Sequence, residues 1–426
     1  MTSAAASSLG QRLLDEIKEE SLDEILRDLR AQFPTPTENA FFGIKDLDEL
    51  LNVFLGQSRS GNDASNQIHH AHPQPVPPSS HSNKRKKPVI EISSPSSGGG
   101  KSQLMYYLIA MSVLPATFHG QKLDGRGGAV VLLDTDGRLD VQRLYDIIQG
   151  VVRHAMDDTH TSSDATDENI ATMVRDVMRH IHIFRPQTSS SLLSTLQSLH
   201  TYFLHNPRGP DGSLPLHGIF IDSLSAFYWP DRLRDEIART SEIGLPVTQI
   251  QQAQKQRTAF YMSVLYAEIA TELKRLQGVF GCGVVYSTWG ITPRSSSSSS
   301  SSLGMGGLGG GGYGNNIWAG PPTFKPHLPA PWNSTFPDLR LVVQRDRVRT
   351  YPGTSTFNEW ERDAAIRQSV VRKGKFSAWV DTSTLTAWAG GEVVLSALRK
   401  MPDNGGFPFW VREDGVFMDD LMDDIS

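Results

Sequence analysis

The run Ser93-Ser94-Pro95-Ser96-Ser97-Gly98-Gly99-Gly100-Lys101-Ser102 carries the residue types that bind a nucleoside triphosphate. Glycines let backbone N–H groups wrap phosphates at a helix N-terminus, a lysine reaches the terminal phosphates, and a hydroxyl binds Mg2+. Gly100, Lys101 and Ser102 meet the pattern G-x-x-x-x-G-K-[ST], with Ser97, Gly98 and Gly99 in the cradle before them. The first glycine of the pattern is replaced by Pro95, which fixes φ and removes a donor. The alternative, a glycine-rich turn that only caps a helix, leaves the strand-like PVIEI before it and the helix-like QLMYYLIAMSVL after it unexplained. Gly218-Ile219-Phe220-Ile221-Asp222-Ser223 reads as a buried strand ending in a carboxylate, where Asp222 would hold the Mg2+ water shell together with Ser102. Asp134 and Asp136 follow the apolar run AVVLLD. A carboxylate there can orient an attacking water; equally, Asp134 can end the strand and Asp136-Gly137 can make a turn.

These residues need a scaffold, and the chain supplies one. PVIEI, AVVLLD, HIHIF, GIFID and CGVVYST each run four to six apolar or β-branched residues, separated by helical stretches. That alternation predicts an α/β fold whose mostly parallel sheet is covered by helices on both faces. His180 and His182 then alternate as ordinary sheet residues. Upstream, Leu13, Leu14 and Ile17, then Leu22, Ile25, Leu26 and Leu29, recur at helical spacing around a capping box at Ser21 to Glu24, which predicts a short helical N-terminal segment. Such helices must dock on the body or on a partner.

Only 38 % of the 426 residues are hydrophobic, thin for one packed body, and three stretches account for it. Gly56 to Pro88 is polar and proline-rich and should be a disordered connector. Asp157 to Asp167 is a shorter polar insertion, and Arg294 to Pro322 is a serine run followed by glycines that should form a flexible loop. The expected organisation is N-terminal helices and a lead-in over 1–55, a basic-tipped linker over 56–88, an ATPase core over 89–293, a Ser/Gly loop over 294–322, and C-terminal strands completing the core sheet over 323–426. With 41 Lys+Arg against 46 Asp+Glu, net −5, the chain is no basic polyanion sponge. The lone Cys282 excludes an internal disulfide and a Cys-based zinc site, and no stretch approaches the ~20 unbroken apolar residues of a membrane span. The expected setting is a reducing one, cytoplasm or nucleus, and Lys84-Arg85-Lys86-Lys87 reads as a nuclear import signal or a solvating patch. His69, His70 and His72 lack a carboxylate or Cys partner at ligand spacing and read as polar linker.

In this order the pieces resemble the RecA-like recombinases of eukaryotic homologous recombination. The lead-in Gly43-Ile44-Lys45-Asp46-Leu47-Asp48-Glu49-Leu50-Leu51 has that family's Gly, two residues, Leu-Asp, then Leu-Leu. Ser102-Gln103 follows the phosphate loop as in the family. Within it the chain looks like the X-ray-repair cross-complementing paralogues, through Asp222-Ser223-Leu224-Ser225-Ala226-Phe227-Tyr228-Trp229-Pro230-Asp231-Arg232, Leu133-Asp134-Thr135-Asp136 with Asp140 and Arg143-Leu144, Met105-Tyr106-Tyr107-Leu108 with Leu114-Pro115, and Phe407 to Trp410 with Gly415-Val416. The likeness covers 87–294 well and 323–418 loosely. It implies a RecA-like ATPase core, ATP and Mg2+ as cofactors, other recombinase paralogues as partners in a hetero-oligomer, and single-stranded or branched DNA as ligand. The implied role is a nuclear accessory subunit that assists the strand-exchange filament in double-strand break repair.

Three departures from an active recombinase stand out. Asp136 replaces a Glu that positions the hydrolytic water; one methylene is about 1.5 Å, and misplacement on the order of 1 Å can cost about 10²-fold. The last core strand ends Ser287-Thr288-Trp289, not in the family's Asn-Gln. Pro95 in the phosphate loop is the third; besides these, no Phe-x-x-Ala hook lies between the N-terminal helices and the core. ATP binding with weak or absent hydrolysis is therefore expected. DNA contact would come from Arg232, Arg234, Arg239, Lys255 and Arg257 after the Asp222 strand, and further on from Arg345, Arg347, Arg349, Arg372, Lys373 and Lys375 with Trp379 for stacking. Any one of these cations can equally be a solvated face residue. Two rival readings are a nucleotide-independent adaptor of a paralogue complex and a phosphate-loop NTPase or kinase acting on a small molecule.

Overall fold

A computed structural model of the chain describes residues 40–57, 87–157, 167–205, 214–244, 260–290, 327–346, 356–383 and 390–419, with 246, 248 and 385 between them. The N-terminal helices, the linker with its basic run Lys84 to Lys86 and its histidines, the polar insertion, the Ser/Gly loop, Lys255, Arg257, Arg347 and Arg349 lie outside the described residues.

The body starts with α1 (Lys45–Gln57), followed by β1 (Val89–Ser94), α2 (Lys101–Val113) and the two-stranded ribbon β2 (Thr117–Phe118) and β3 (Gln121–Lys122). Next come β4 (Ala129–Asp134), α3 (Val141–Asp157), α4 (Asp167–Met178), β5 (Ile181–Phe184), α5 (Ser189–His205) and β6 (Leu216–Asp222). They are followed by α6 (Tyr228–Ser241), α7 (Met262–Phe280), β7 (Gly283–Trp289) and β8 (Leu339–Arg345). The last elements are α8 (Phe357–Lys373), β9 (Lys375–Val380), α9 (Gly391–Leu398), β10 (Phe407–Val411) and β11 (Val416–Phe417). Nine strands form one sheet in the order β11-β10-β9-β8-β1-β7-β6-β4-β5. Every pair from β8 to β5 is parallel, and β9, β10 and β11 add on antiparallel. This is the α/β architecture of a RecA-like core.

The continuous apolar runs follow from burial on both faces. Within β4, Val130 and Leu132 join one core, while Val131 and Leu133 join the other. The first core packs α1 to α4 and the C-terminal elements on one face; the second packs α5, α7 and residues 328–336 on the opposite face. In the second, the Trp332 indole N–H donates to the Tyr266 carbonyl at 2.8 Å, and the ring lies edge-on to Tyr286. Among the described residues no helix is long and apolar enough to cross a membrane.

The lead-in has a physical reason. Asp48 accepts the backbone N–H groups of Phe41 (2.6 Å), Phe42 (2.8 Å) and Gly43 (2.7 Å). Gly43 has φ +83°, and a Cβ there would lie 2.2 Å from the Asp124 carbonyl oxygen. Leu47, Leu50 and Leu51 are buried in the first core.

Candidate functional site

β1, β4, β6 and β7 run parallel, so their C-terminal ends open on one edge of the sheet, where open α/β sheets bind ligands. The turn from β1 into α2 lies there. Gly98 and Gly100 have positive φ (+73° and +95°), and Gly100 is the residue preceding α2. A Cβ at Gly99 would meet the Ser94 Oγ at 1.8 Å, and one at Gly100 the Phe376 ring at 2.7 Å. Only glycine fits this path, which is the behaviour of a backbone shaped to meet phosphates. Pro95 lies in the same wall.

The turn borders a cleft of roughly 520 Å³ lined by Ser94 to Gln103, Asp136, Arg138, Asp222, Ser223, Trp289, Gly290 and Phe376. Its size is that of a small-molecule site. Ser97, Gly98, Gly99, Gly100, Lys101, Ser102, Asp136 and Asp222 all line it. Ser102 Oγ donates to Asp222 Oδ2 at 2.7 Å across 120 residues of sequence. Burial pulls the Lys101 ammonium below its ordinary value against the pull of Asp222 and Asp136, and a polyanion beside it would favour the charged form. Burial and the neighbouring Asp222 push the Asp136 carboxyl up.

The two carboxylates after β4 part company. Asp134 is buried, pairs with Arg185 Nε at 3.0 Å and accepts the Arg138 N–H at 3.1 Å, so it fixes the turn. Asp136 is left facing the cleft. Arg143 is held by its own chain: it donates to Gln103 Oε1 (2.9 Å) and to the carbonyls of Glu413 (2.6 Å), Arg412 (2.6 Å) and Gly415 (3.1 Å). It thereby clamps the β10–β11 turn to helix α2.

Among the described residues the expected DNA cations are not gathered. Arg232, Arg234 and Arg239 sit on helix α6, where Arg232 and Arg234 are two positions apart and so diverge by about 200°. Arg232 bonds Glu236 (3.0 Å) and the Tyr228 hydroxyl (3.0 Å). The Arg234 guanidinium lies over the Phe260 ring, and Arg239 pairs with Asp235. Arg345 lies over Phe376 and donates to the Val371 carbonyl.

Sequence reasoning assigned no role to five residues in and around the site. Ser287 Oγ donates to Asp222 Oδ1 at 2.5 Å. Thr135 Oγ1 donates to the Ser223 carbonyl at 2.5 Å, Ser223 and Ser225 share a hydrogen bond at 2.9 Å, and Phe376 comes from β9. No sequence signal pointed to Ser287, whose place beside Asp222 follows from the pairing of β6 with β7.

As a donor set, a glycine-only turn, a half-buried lysine, and a hydroxyl bonded to a strand-end carboxylate fit a triphosphate with Mg2+. No protein-family model matches the chain. The chain is similar to proteins named DNA repair protein XRCC2. It is 24 % identical over 274 residues to the Arabidopsis thaliana homologue, covering 60 % of this chain and 68 % of that protein. It is 28 % identical over 145 residues to the Mus musculus protein, covering 34 % of this chain and 42 % of the mouse protein.

Proposed function

We propose that the chain is a nucleotide-binding accessory subunit in DNA repair by homologous recombination, a recombinase paralogue of XRCC2 type working in the nucleus with other such paralogues on single-stranded or branched DNA. The observation that carries the nucleotide half is the 2.7 Å bond between Ser102 and Asp222 beneath a turn only glycine can follow. The similarity to two proteins named for DNA repair supports the other half.

Gly98 to Gly100 would present backbone N–H groups to the phosphates, Lys101 would meet the terminal ones, and Ser102 with Asp222 would hold Mg2+. The metal, when bound, neutralises charge on the phosphate oxygens. Asp136 would orient water from one methylene too far back, so nucleotide is held longer than it is hydrolysed. Arg232 and Arg234 would meet DNA separately, as single phosphate contacts.

The test is retention of ATP or ADP on the purified protein, with Lys101→Ala. Loss of most nucleotide affinity in the variant is expected, together with capture of other recombinase paralogues by the wild type. Wild-type protein that binds no nucleotide but still captures them would leave the adaptor reading, which Pro95 and the shortened Asp136 favour. Rapid DNA-stimulated ATP turnover would refute the accessory role.

A further inference from the structure

The two oxygens of Asp222 are held from two directions. Ser102, at the start of α2, donates to Oδ2 at 2.7 Å; Ser287, a fully buried residue of β7, donates to Oδ1 at 2.5 Å. Successive strand residues alternate faces, so Ser287 and Trp289 share one face, and Trp289 lines the cleft. The neighbouring Thr288 turns the other way, to Glu91. The Trp289 backbone N–H donates to Ser225 Oγ at 3.0 Å, and the Leu224 N–H donates to the Ser287 carbonyl at 2.9 Å. The tip of β7 is thus bonded both to the carboxylate and to the turn that follows it.

A carboxylate has two equivalent oxygens and turns easily about its last bond. With Oδ1 fixed by a buried hydroxyl, Oδ2 is kept on the Ser102 side, where a cation beside the phosphate loop would sit. Removing the hydroxyl leaves a charged oxygen against a buried strand with no donor, an arrangement that drives the group to rotate. Resting on the nucleotide-binding reading, we propose that Ser287 is the positioning residue that aims Asp222 at Mg2+, and that the β7 tip carries metal occupancy from Asp222 to Trp289.

The experiment measures affinity for a fluorescent ATP analogue with Mg2+ and with EDTA, in wild type, Ser287→Ala and Ser287→Thr. Indole emission is followed in parallel, with Trp289→Phe identifying the contribution of that residue. Expected is a loss of about ten-fold or more in the Mg2+-dependent tightening of Ser287→Ala, unchanged affinity in EDTA, and recovery in Ser287→Thr, which keeps the hydroxyl. The Trp289 emission should change with Mg2+ and nucleotide together, and not with nucleotide in EDTA. Wild-type Mg2+ dependence in Ser287→Ala overturns the proposal while leaving nucleotide binding intact. So does an equal loss in both conditions accompanied by a lower melting temperature, which marks a purely structural role. Should Ser287→Ala fail to fold, a Trp289 signal in the wild type that ignores Mg2+ overturns it as well. Wild-type protein that binds the analogue under neither condition overturns the proposal and the nucleotide-binding reading together.

Discussion

Asp48→Asn tests whether the lead-in to the core is held by charge or by shape. The carboxylate is buried and receives three backbone N–H groups, two on Oδ1 at 2.6 and 2.8 Å and one on Oδ2 at 2.7 Å, with Arg126 Nη2 4.0 Å from Oδ2. An amide of the same shape keeps at best the two bonds to one oxygen and aims its own N–H2 at the Gly43 N–H. A hydrogen bond to a charged group contributes about 1.5–3 kcal/mol, and an unsatisfied buried donor costs about 1–3 kcal/mol. Against this, burial pushes the Asp48 carboxyl up more than its donors and Arg126 pull it down, so neutralising the group recovers part of the loss. The net expectation is about 2–4 kcal/mol of destabilisation, with Asp48→Ala at or above the upper end because all three donors lose their partner. The assay is urea denaturation of the full chain with each variant at equal slope, joined to hydrogen exchange at the Phe41 to Gly43 amides, which should speed up first. A midpoint for Asp48→Asn within about 0.5 kcal/mol of wild type, with those amides still protected, would refute the reasoning.

Two further outcomes follow from the site and the core. Asp136→Glu restores the missing methylene and should raise ATP turnover on the order of ten-fold, measured as phosphate release with Lys101→Ala as the blank; no increase means that carboxylate reach is not what limits hydrolysis. Burial, with Lys87 and Arg126 nearby, pulls the His217 imidazole from 6.5 to about 3. Above pH 6.5 the ring is neutral folded and unfolded, whereas between about 6.5 and about 3 only the unfolded chain takes the proton. This residue should therefore remove up to about 1.4 kcal/mol of stability per pH unit on acidification. His217→Phe should flatten that part of the profile, and coincident profiles for the two proteins would show that the ring protonates in place.

The sheet was legible because its strands are covered on both faces. Five apolar runs needed no partner to be recognised, and each became a parallel strand within two residues of its expected bounds. β9 was harder: it alternates buried and half-buried positions, KFSAWV, beside a helix, and carries Phe376 into the site from the far end of the chain. The glycine-rich turn before α2 was visible since its residue pattern is contiguous in the sequence. Ser287 was not, because a serine in a strand acquires meaning only when the sheet order sets β7 beside β6. The choice between Asp134 and Asp136 turned on Arg185, a residue of the loop after β5 that no spacing rule connects to β4. The lead-in motif was visible only by resemblance, and its reason, three amides closing on one carboxylate, is a property of the fold.

The helix after Asp222, α6, is put together differently from α2, the helix after the glycine-rich turn, and the difference bears on what can move when the cleft fills. Helix α2 buries Leu104, Met105, Leu108, Ile109 and Val113 in the first core; at about 1.5–3 kcal/mol for each large side chain covered, it is fixed by apolar burial. Helix α6 turns the other way. Its inward residues include Asp231, which accepts the Tyr266 hydroxyl proton at 3.2 Å, and Asp235, which accepts the Met262 N–H at 3.0 Å near the start of α7. Trp229, Leu233 and Ile237, spaced four apart, face outward at 55, 59 and 60 % exposure. Net contributions of about 1 kcal/mol per hydrogen bond, rising to about 1.5–3 where a carboxylate accepts, attach α6 less firmly than burial attaches α2. A change at Asp222 therefore meets a rigid wall on the side of Ser102 and a yielding one on the side of α6, so displacement should run from this carboxylate into the segment that carries Arg232 and Arg234.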